Sequence, residues 1–282
     1  MKFRNPELKI QAMAFGGCSF TWGQGLYYYS NLPTLKEPPP DQYRAEYITE
    51  AHRRYMASVR FPRLVANHFN TFEVVKIKNG GCEDETFEMF QNIFNDPEKM
   101  NMITDLCTER YTYDDFSYII IQISQLFRNR FKFELNGIKY ETNLSPRSNY
   151  GDPSKLLKWM ELNNYTYEDW VDCMIKQQLP RLEKEIRFYE DKGIKVRFLL
   201  WEDDLLTEIK SNSYLKERLI TLEYENSKFD TISKLYRRHE DLLIEKDPYF
   251  EGKTIPVDLH PSKKCHQIIA DNIIRVIEND NL

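Results

Sequence analysis

Four runs of β-branched, aromatic and aliphatic residues recur along the chain: Leu8–Phe15, Phe72–Ile77, Phe116–Ser124 and Lys195–Trp201. Their apolar residues fall largely on consecutive rather than alternate positions. That pattern predicts strands buried on both faces, as in a parallel sheet. The first run ends at Gly16-Gly17 and the second at Asn79-Gly80-Gly81. Between the runs the apolar period changes to three and four. Tyr167–Asp191 carries Trp170, Val171, Met174, Ile175, Leu179, Leu182 and Ile186 at those steps. It predicts a helix bent at Pro180, where proline removes one ladder bond. Lys263–Glu278 repeats the pattern with Cys265, Ile268, Ile269, Ile273, Val276 and Ile277, and Ser262 is placed to cap it. Pro62 suits a helix start, with Leu64, Val65 and Phe69 following on one face. Strands alternating with helices predict an α/β fold with a parallel sheet between helical layers.

Two stretches break the alternation. Residues 31–44 hold Pro33, Pro38, Pro39 and Pro40, which exclude a continuous helix or a central strand. Residues 131–153 hold Gly137, Pro146, Gly151 and Pro153, with a short hairpin-like segment around Gly137. Both are expected as loop insertions in one domain spanning residues 1–282. No internal repeat or composition break argues for a second.

Composition narrows the function classes. The 282 residues are 41% hydrophobic and 14% aromatic, which excludes disordered and collagen-like chains. No apolar run approaches the length of a membrane span, and mean hydropathy is −0.63. Met1–Ile10 mixes Lys2, Arg4, Glu7 and Lys9 with single apolar residues, unlike a secretory leader. The five cysteines are scattered and read as reduced thiols, so a cytoplasmic location is expected. A net charge of −5 offers no basic field for a nucleic acid. Oligomeric state is left open.

The chemistry concentrates near the two ends of the chain. Ala14-Phe15-Gly16-Gly17-Cys18-Ser19-Phe20-Thr21-Trp22-Gly23 runs from a strand through two glycines into a serine. Such a turn brings a hydroxyl to the carboxyl end of a strand, where open parallel sheets bind ligands. Read alone, it is equally a strand-to-helix turn with Ser19 as a cap. Val257-Asp258-Leu259-His260-Pro261-Ser262 holds a histidine extended before proline, with Asp258 two residues away to orient it. Read alone, it is also an ordinary helix-start loop.

Together these segments resemble the SGNH (GDSL-like) hydrolase family. Gly16–Gly23 resembles the family's first block and Asp258-Leu259-His260-Pro261 its last. Asn79-Gly80-Gly81-Cys82 resembles the second, and Ile119–Gln125 occupies the place of the third. The resemblance implies a three-layer flavodoxin-like fold and a serine esterase. Ser19 would be its nucleophile, His260 its base and Asp258 the group that orients the base. It implies an oxyanion hole from the N–H groups of Ser19 and Gly81, with Gly80 as second choice for the latter. The third donor would be Ser124 or Gln122, since Ser124 stands where the family carries asparagine. Cys18 replaces the first block's usual aspartate, and Asp258 lies two rather than three residues before His260. Arg128 and Trp22 are candidate substrate contacts.

No metal or organic cofactor is implied. His260, Cys265 and His266 are close in sequence, but Cys265 and His266 diverge on a helix and no second ligand cluster appears. Glu83-Asp84-Glu85 and Glu202-Asp203-Asp204 read as solvated caps, the first starting a helix. His52, His68 and His239 read as surface residues. The expected substrate is a small-molecule or carbohydrate ester with a short acyl group, such as acetyl. Two other readings stay open: a non-catalytic binding protein on the same scaffold, and an O-acyltransferase using the same triad.

Overall fold

A computed structural model describes residues 12–30, 32, 49–77, 83–95, 112–125, 130–142, 145–147, 152–251 and 260–280. Its centre is a four-stranded parallel sheet built from β1 (Ala12–Gly17), β2 (Phe72–Ile77), β3 (Phe116–Ile123) and one later strand, Lys195–Leu200. These are the four expected strands. Their order is 2-1-3-4 by occurrence, with β1 paired to both β2 and β3. That is the doubly wound arrangement of flavodoxin-like folds, in which strand order reverses beside β1 and leaves a crevice at the carboxyl ends.

The sheet is buried on both faces because its side chains alternate into two cores. Ala14, Val74, Ile119, Ile121 and Phe198 face one layer. That layer contains α4 (Glu83–Asn95) and α6 (Tyr167–Glu190), through Phe87, Phe90, Trp170, Met174, Leu182 and Ile186. Met13, Phe15, Val75, Tyr118 and Ile120 face the other, formed by α3 (Phe61–His68) and α10 (Lys263–Asp280). The remaining helices are α1 (Ser19–Trp22), α2 (Glu50–Val59), α5 (Ser154–Leu162), α7 (Leu206–Ser211), α8 (Ser213–Lys216) and α9 (Ile232–Arg238). α6 continues through Pro180, which lies on its exposed side where water can meet the freed carbonyl.

The stretch 131–153 contributes more than a surface loop. Phe131–Leu135 (β4) and Ile138–Thr142 (β5) form a hairpin turned at Asn136-Gly137, both with positive φ. Its Phe131, Phe133 and Leu135 are buried in the same core as α6. Lys195–Leu200 is β6, and a second hairpin joins β7 (Leu222–Tyr224) to β8 (Ser227–Phe229). Of residues 31–44, only Leu32 is among those described. No helix among the described residues is long and apolar enough to cross a membrane.

Two of the histidines expected at the surface are inside. His52 is fully buried: its Nδ1 accepts from the Thr49 N–H, closing a capping box at the start of α2. The proton is therefore on Nε2, 3.2 Å from the Leu32 carbonyl. His239 is largely covered by the rings of Tyr224 and Phe229. His68 alone is well exposed, beside Glu278.

Candidate active site

β1 ends in two glycines because no side chain fits there. A Cβ on Gly16 would lie 2.2 Å from Thr86 Cγ2, and one on Gly17 would lie 2.2 Å from Thr21 Oγ1. Gly17 also has φ +152°, a conformation L residues rarely adopt. The chain then passes through extended Cys18 into α1, with Ser19 as its first residue. The Ser19 side chain is buried to within 5% exposure at the carboxyl end of the sheet.

Gln122 sits beneath this turn. Its Oε1 accepts from the Cys18 N–H at 3.4 Å, the Cys18 thiol at 3.1 Å and the Thr21 hydroxyl at 3.3 Å. Its Nε2 donates to the Ile123 carbonyl at 3.1 Å. The side chain thus ties β3 to the serine-bearing turn. Its amide oxygen and one of its amide N–H groups are therefore engaged within the protein. Ser124, just past β3, is buried.

His260 reaches the same point from the other end of the chain. Pro261 restricts it to extended backbone, and its carbonyl accepts from the Ile244 N–H at 3.0 Å. Two residues on, the Ser262 N–H donates to the Leu242 carbonyl at 2.7 Å. The Ser262 hydroxyl accepts from the Cys265 N–H at 3.3 Å, the expected cap of α10. So fixed, His260 brings Nε2 to 2.9 Å from Ser19 Oγ, across 241 positions of sequence.

The imidazole also packs on an aromatic pair that sequence reading did not single out. Phe20 stacks on Trp201 with centroids 3.5 Å apart and lies 4.7 Å from the His260 ring. Trp201 directly follows β6, so the carboxyl end of a third strand borders the site. The available signals were a tryptophan closing a buried strand and a phenylalanine beside the serine, and neither reveals the contact. Trp22 lies on α1. Asp258, Gly80, Gly81, Cys82 and Arg128 lie outside the described residues.

Comparison with solved structures gives remote similarities to proteins described as esterases or lipolytic proteins. An acetyl xylan esterase from the rumen bacterium Butyrivibrio proteoclasticus superposes with a TM-score of 0.41 at 14% identity, covering 99% of this chain and 66% of that one. A G-D-S-L family lipolytic protein from Desulfitobacterium hafniense gives 0.42 at 12% identity, covering 94% and 99%. A family two carbohydrate esterase from Clostridium thermocellum, in complex with cellohexaose, gives 0.40 at 14%, covering 99% and 66%. This chain spans about two thirds of the length of the acetyl xylan esterase and the Clostridium chain. No family model and no curated protein matches the sequence. The functional reading rests on the geometry of Ser19 and His260.

No group of three or more His, Cys, Asp or Glu residues suited to a metal ion comes together among the described residues. Cys265 and His266 are both buried between α10 and α3. Burial pushes the Cys265 thiol up to about 12. Burial, with His260 and Arg60 nearby, pushes the His266 pKa down to about 3. His266 Nδ1 accepts from the Phe61 N–H at 3.3 Å, and Nε2 has no partner among the described residues.

A pH prediction follows from this histidine. Between the unfolded value near 6.5 and about 3, the unfolded chain binds a proton at this imidazole and the folded chain does not. Stability therefore falls as pH drops through that window, by up to about 1.4 kcal/mol per pH unit. His266→Asn keeps an acceptor for the Phe61 N–H and does not titrate. Melting temperature from pH 7 to 4 is expected to fall less steeply in that variant, whereas parallel slopes would refute the assignment.

Proposed function

We propose that the protein is a serine esterase in which Ser19 attacks the ester carbonyl and His260 takes the hydroxyl proton. The observation that carries this reading is the 2.9 Å separation of Ser19 Oγ and His260 Nε2 at the carboxyl end of a parallel sheet. As the Oγ–carbon bond forms, the carbonyl electrons move onto oxygen. The Ser19 N–H, at the first position of α1, has no helical carbonyl to bind and is available to that oxyanion. Gly81 N–H and the Ser124 hydroxyl complete the proposed set of donors. Collapse expels the alcohol, which receives its proton from His260. A water then repeats the sequence and frees the acid. Asp258 orients His260 in this scheme, and Trp22 and Arg128 are proposed substrate contacts.

The decisive test is a fluorophosphonate probe followed by mapping of the modified residue. Labelling at Ser19 supports the reading, and labelling elsewhere or nowhere refutes it.

A short acyl group is the proposed substrate feature. Residues 31–44 lack the contiguous aliphatic positions that a long apolar groove would need. The stacked Phe20 and Trp201 wall the side next to His260. Tyr27 and Tyr29, which follow the nucleophile turn, are buried with Leu26, Met56 and Phe250, and so lend no support to a sugar. Across a series of p-nitrophenyl esters, kcat/KM is expected to peak at about two to four carbons. A peak at eight or more would contradict it.

One observation favours a second reading, a binding protein with little or no turnover. The Gln122 amide is committed beneath the turn, which leaves the third oxyanion donor to a short hydroxyl.

A further inference from the structure

We infer that the Tyr29 hydroxyl is a positioning group that fixes the distance between Ser19 and His260; the inference rests on the esterase reading. The hydroxyl and imidazole are brought together from opposite ends of the chain and joined directly by a single hydrogen bond. A misplacement of about 1 Å between reacting groups costs on the order of a hundredfold in rate. Something must hold the two segments that carry them.

The segment carrying the serine is stiff. Gln24 N–H donates to the Ser19 carbonyl at 3.0 Å, Leu26 N–H to Gly23 at 3.1 Å and Tyr28 N–H to Gly25 at 3.1 Å. These bonds lead turn by turn into a 3-10 helix, Leu26–Ser30, so Tyr29 moves with Ser19. The segment carrying the histidine is zipped to Leu242–Ile244 by the bonds described above. Asp247 N–H in turn donates to the Ile244 carbonyl at 3.2 Å, so Asp247 moves with His260.

Tyr29 connects the two. It is 8% exposed, and its ring packs on Phe250 and Tyr249. Its hydroxyl donates to Asp247 Oδ2 at 2.5 Å. Ser262 and Lys263, two and three residues past His260, lie close to the same oxygen. One phenol oxygen therefore bonds the base-bearing segment at Asp247. Burial first, and then Asp247, raises the phenol pKa well above its usual value, so the proton stays in place. The other Asp247 oxygen is used by the Tyr249 N–H at 2.9 Å, so the phenol is the partner Oδ2 would lose.

The test uses the full chain with p-nitrophenyl acetate and a fluorophosphonate probe. Tyr29→Phe keeps the ring and removes the hydroxyl. It is expected to lower kcat about tenfold or more, leave KM within about twofold and slow Ser19 labelling in parallel, in line with a displaced base. Asp247→Ala removes the partner and keeps the phenol, and should give the same kcat loss; it also covers the case in which Tyr29→Phe fails to fold. Tyr214→Phe is the matched control. It deletes another 2.5 Å tyrosine-to-carboxylate bond, to Glu190 on the helix leading into the amino end of β6. Its melting temperature should fall as in Tyr29→Phe while kcat stays at the wild-type value. Wild-type kcat in Tyr29→Phe, or an equal kcat loss in Tyr214→Phe, overturns the inference. A wild-type protein that neither turns over nor labels at Ser19 overturns the esterase reading itself.

Discussion

Ser19→Ala is expected to abolish ester turnover and fluorophosphonate labelling while leaving the melting temperature within about 3 °C of wild type, the equivalent of roughly 1 kcal/mol. The hydroxyl is buried but small, and its one described bond is to the His260 imidazole. The turn itself is held by other groups: the Gln122 amide, the Thr21 hydroxyl and the backbone bonds from Gly23 and Gln24 to the Ser19 carbonyl. Removing the side chain therefore leaves the scaffold standing. Removing the nucleophile costs several orders of magnitude in rate, and His260→Ala should nearly equal it because the two act as one unit. Ser124→Asn is the informative companion. An added carboxamide donor is expected to raise turnover, since one such donor contributes about 3–4 kcal/mol to transition-state stabilisation. If wild type and all three variants share a background rate on every ester, the binding-protein reading replaces the enzyme.

Glu73→Gln is expected to have the largest effect on stability. Glu73 lies near the start of β2, facing α3, and its carboxylate is fully buried. Its Oε1 accepts from Arg60 Nη2 at 2.9 Å and from Arg63 Nε at 2.9 Å, with Arg63 Nη2 2.7 Å away. The Arg60 side chain is 1% exposed, whereas Arg63 reaches solvent. Arg60 Nε and Glu73 Oε2 have no partner among the described residues, so the pair is only partly satisfied. Neutralising one member leaves a buried charge uncompensated, at a cost of about 3–5 kcal/mol, or roughly 10 °C in melting temperature. Replacing both, as in Arg60→Met with Glu73→Leu, removes both desolvation penalties and should return stability close to wild type. Calorimetry of the single and double variants checks this. A double variant no better than the single would mean that the pair contributes through its specific bonds rather than through charge balance.

The parts legible in the sequence were those written in periodicity and local turn chemistry. Parallel strands covered on both faces must be nearly continuous apolar runs, so Ile119–Ile123 could hardly be anything else. Their edges were less legible. Gly16 and Gly17 suggested a strand already ended, yet pairing with Lys76, Ile77 and Ile121 carries β1 through them. The hairpin at Asn136-Gly137 announced itself by its turn residues. The one joining β7 and β8 did not, because Glu225-Asn226 takes up the positive φ angles usually left to glycine. Burial of His52 was invisible for another reason. It depends on Leu32 and on the rings around α2, which no helical period encodes. At the site, the resemblance of two segments to the SGNH blocks suggested which serine and histidine would meet. They could not say which way Gln122 points, because a polar residue at the end of a buried strand can face the ligand or the turn.

The distance in sequence between Ser19 and His260 has a consequence for the timing of synthesis. At chain-elongation rates of about 5–20 residues per second, roughly 12–50 s separate the addition of the one from the addition of the other. Until then the Ser19 hydroxyl lacks its imidazole partner. The base is followed at once by α10, which closes one whole core layer against α3 and the sheet. Completion of the layer and arrival of His260 thus belong to the same stretch of translation, and a chain that has not reached it holds no Ser19–His260 pair.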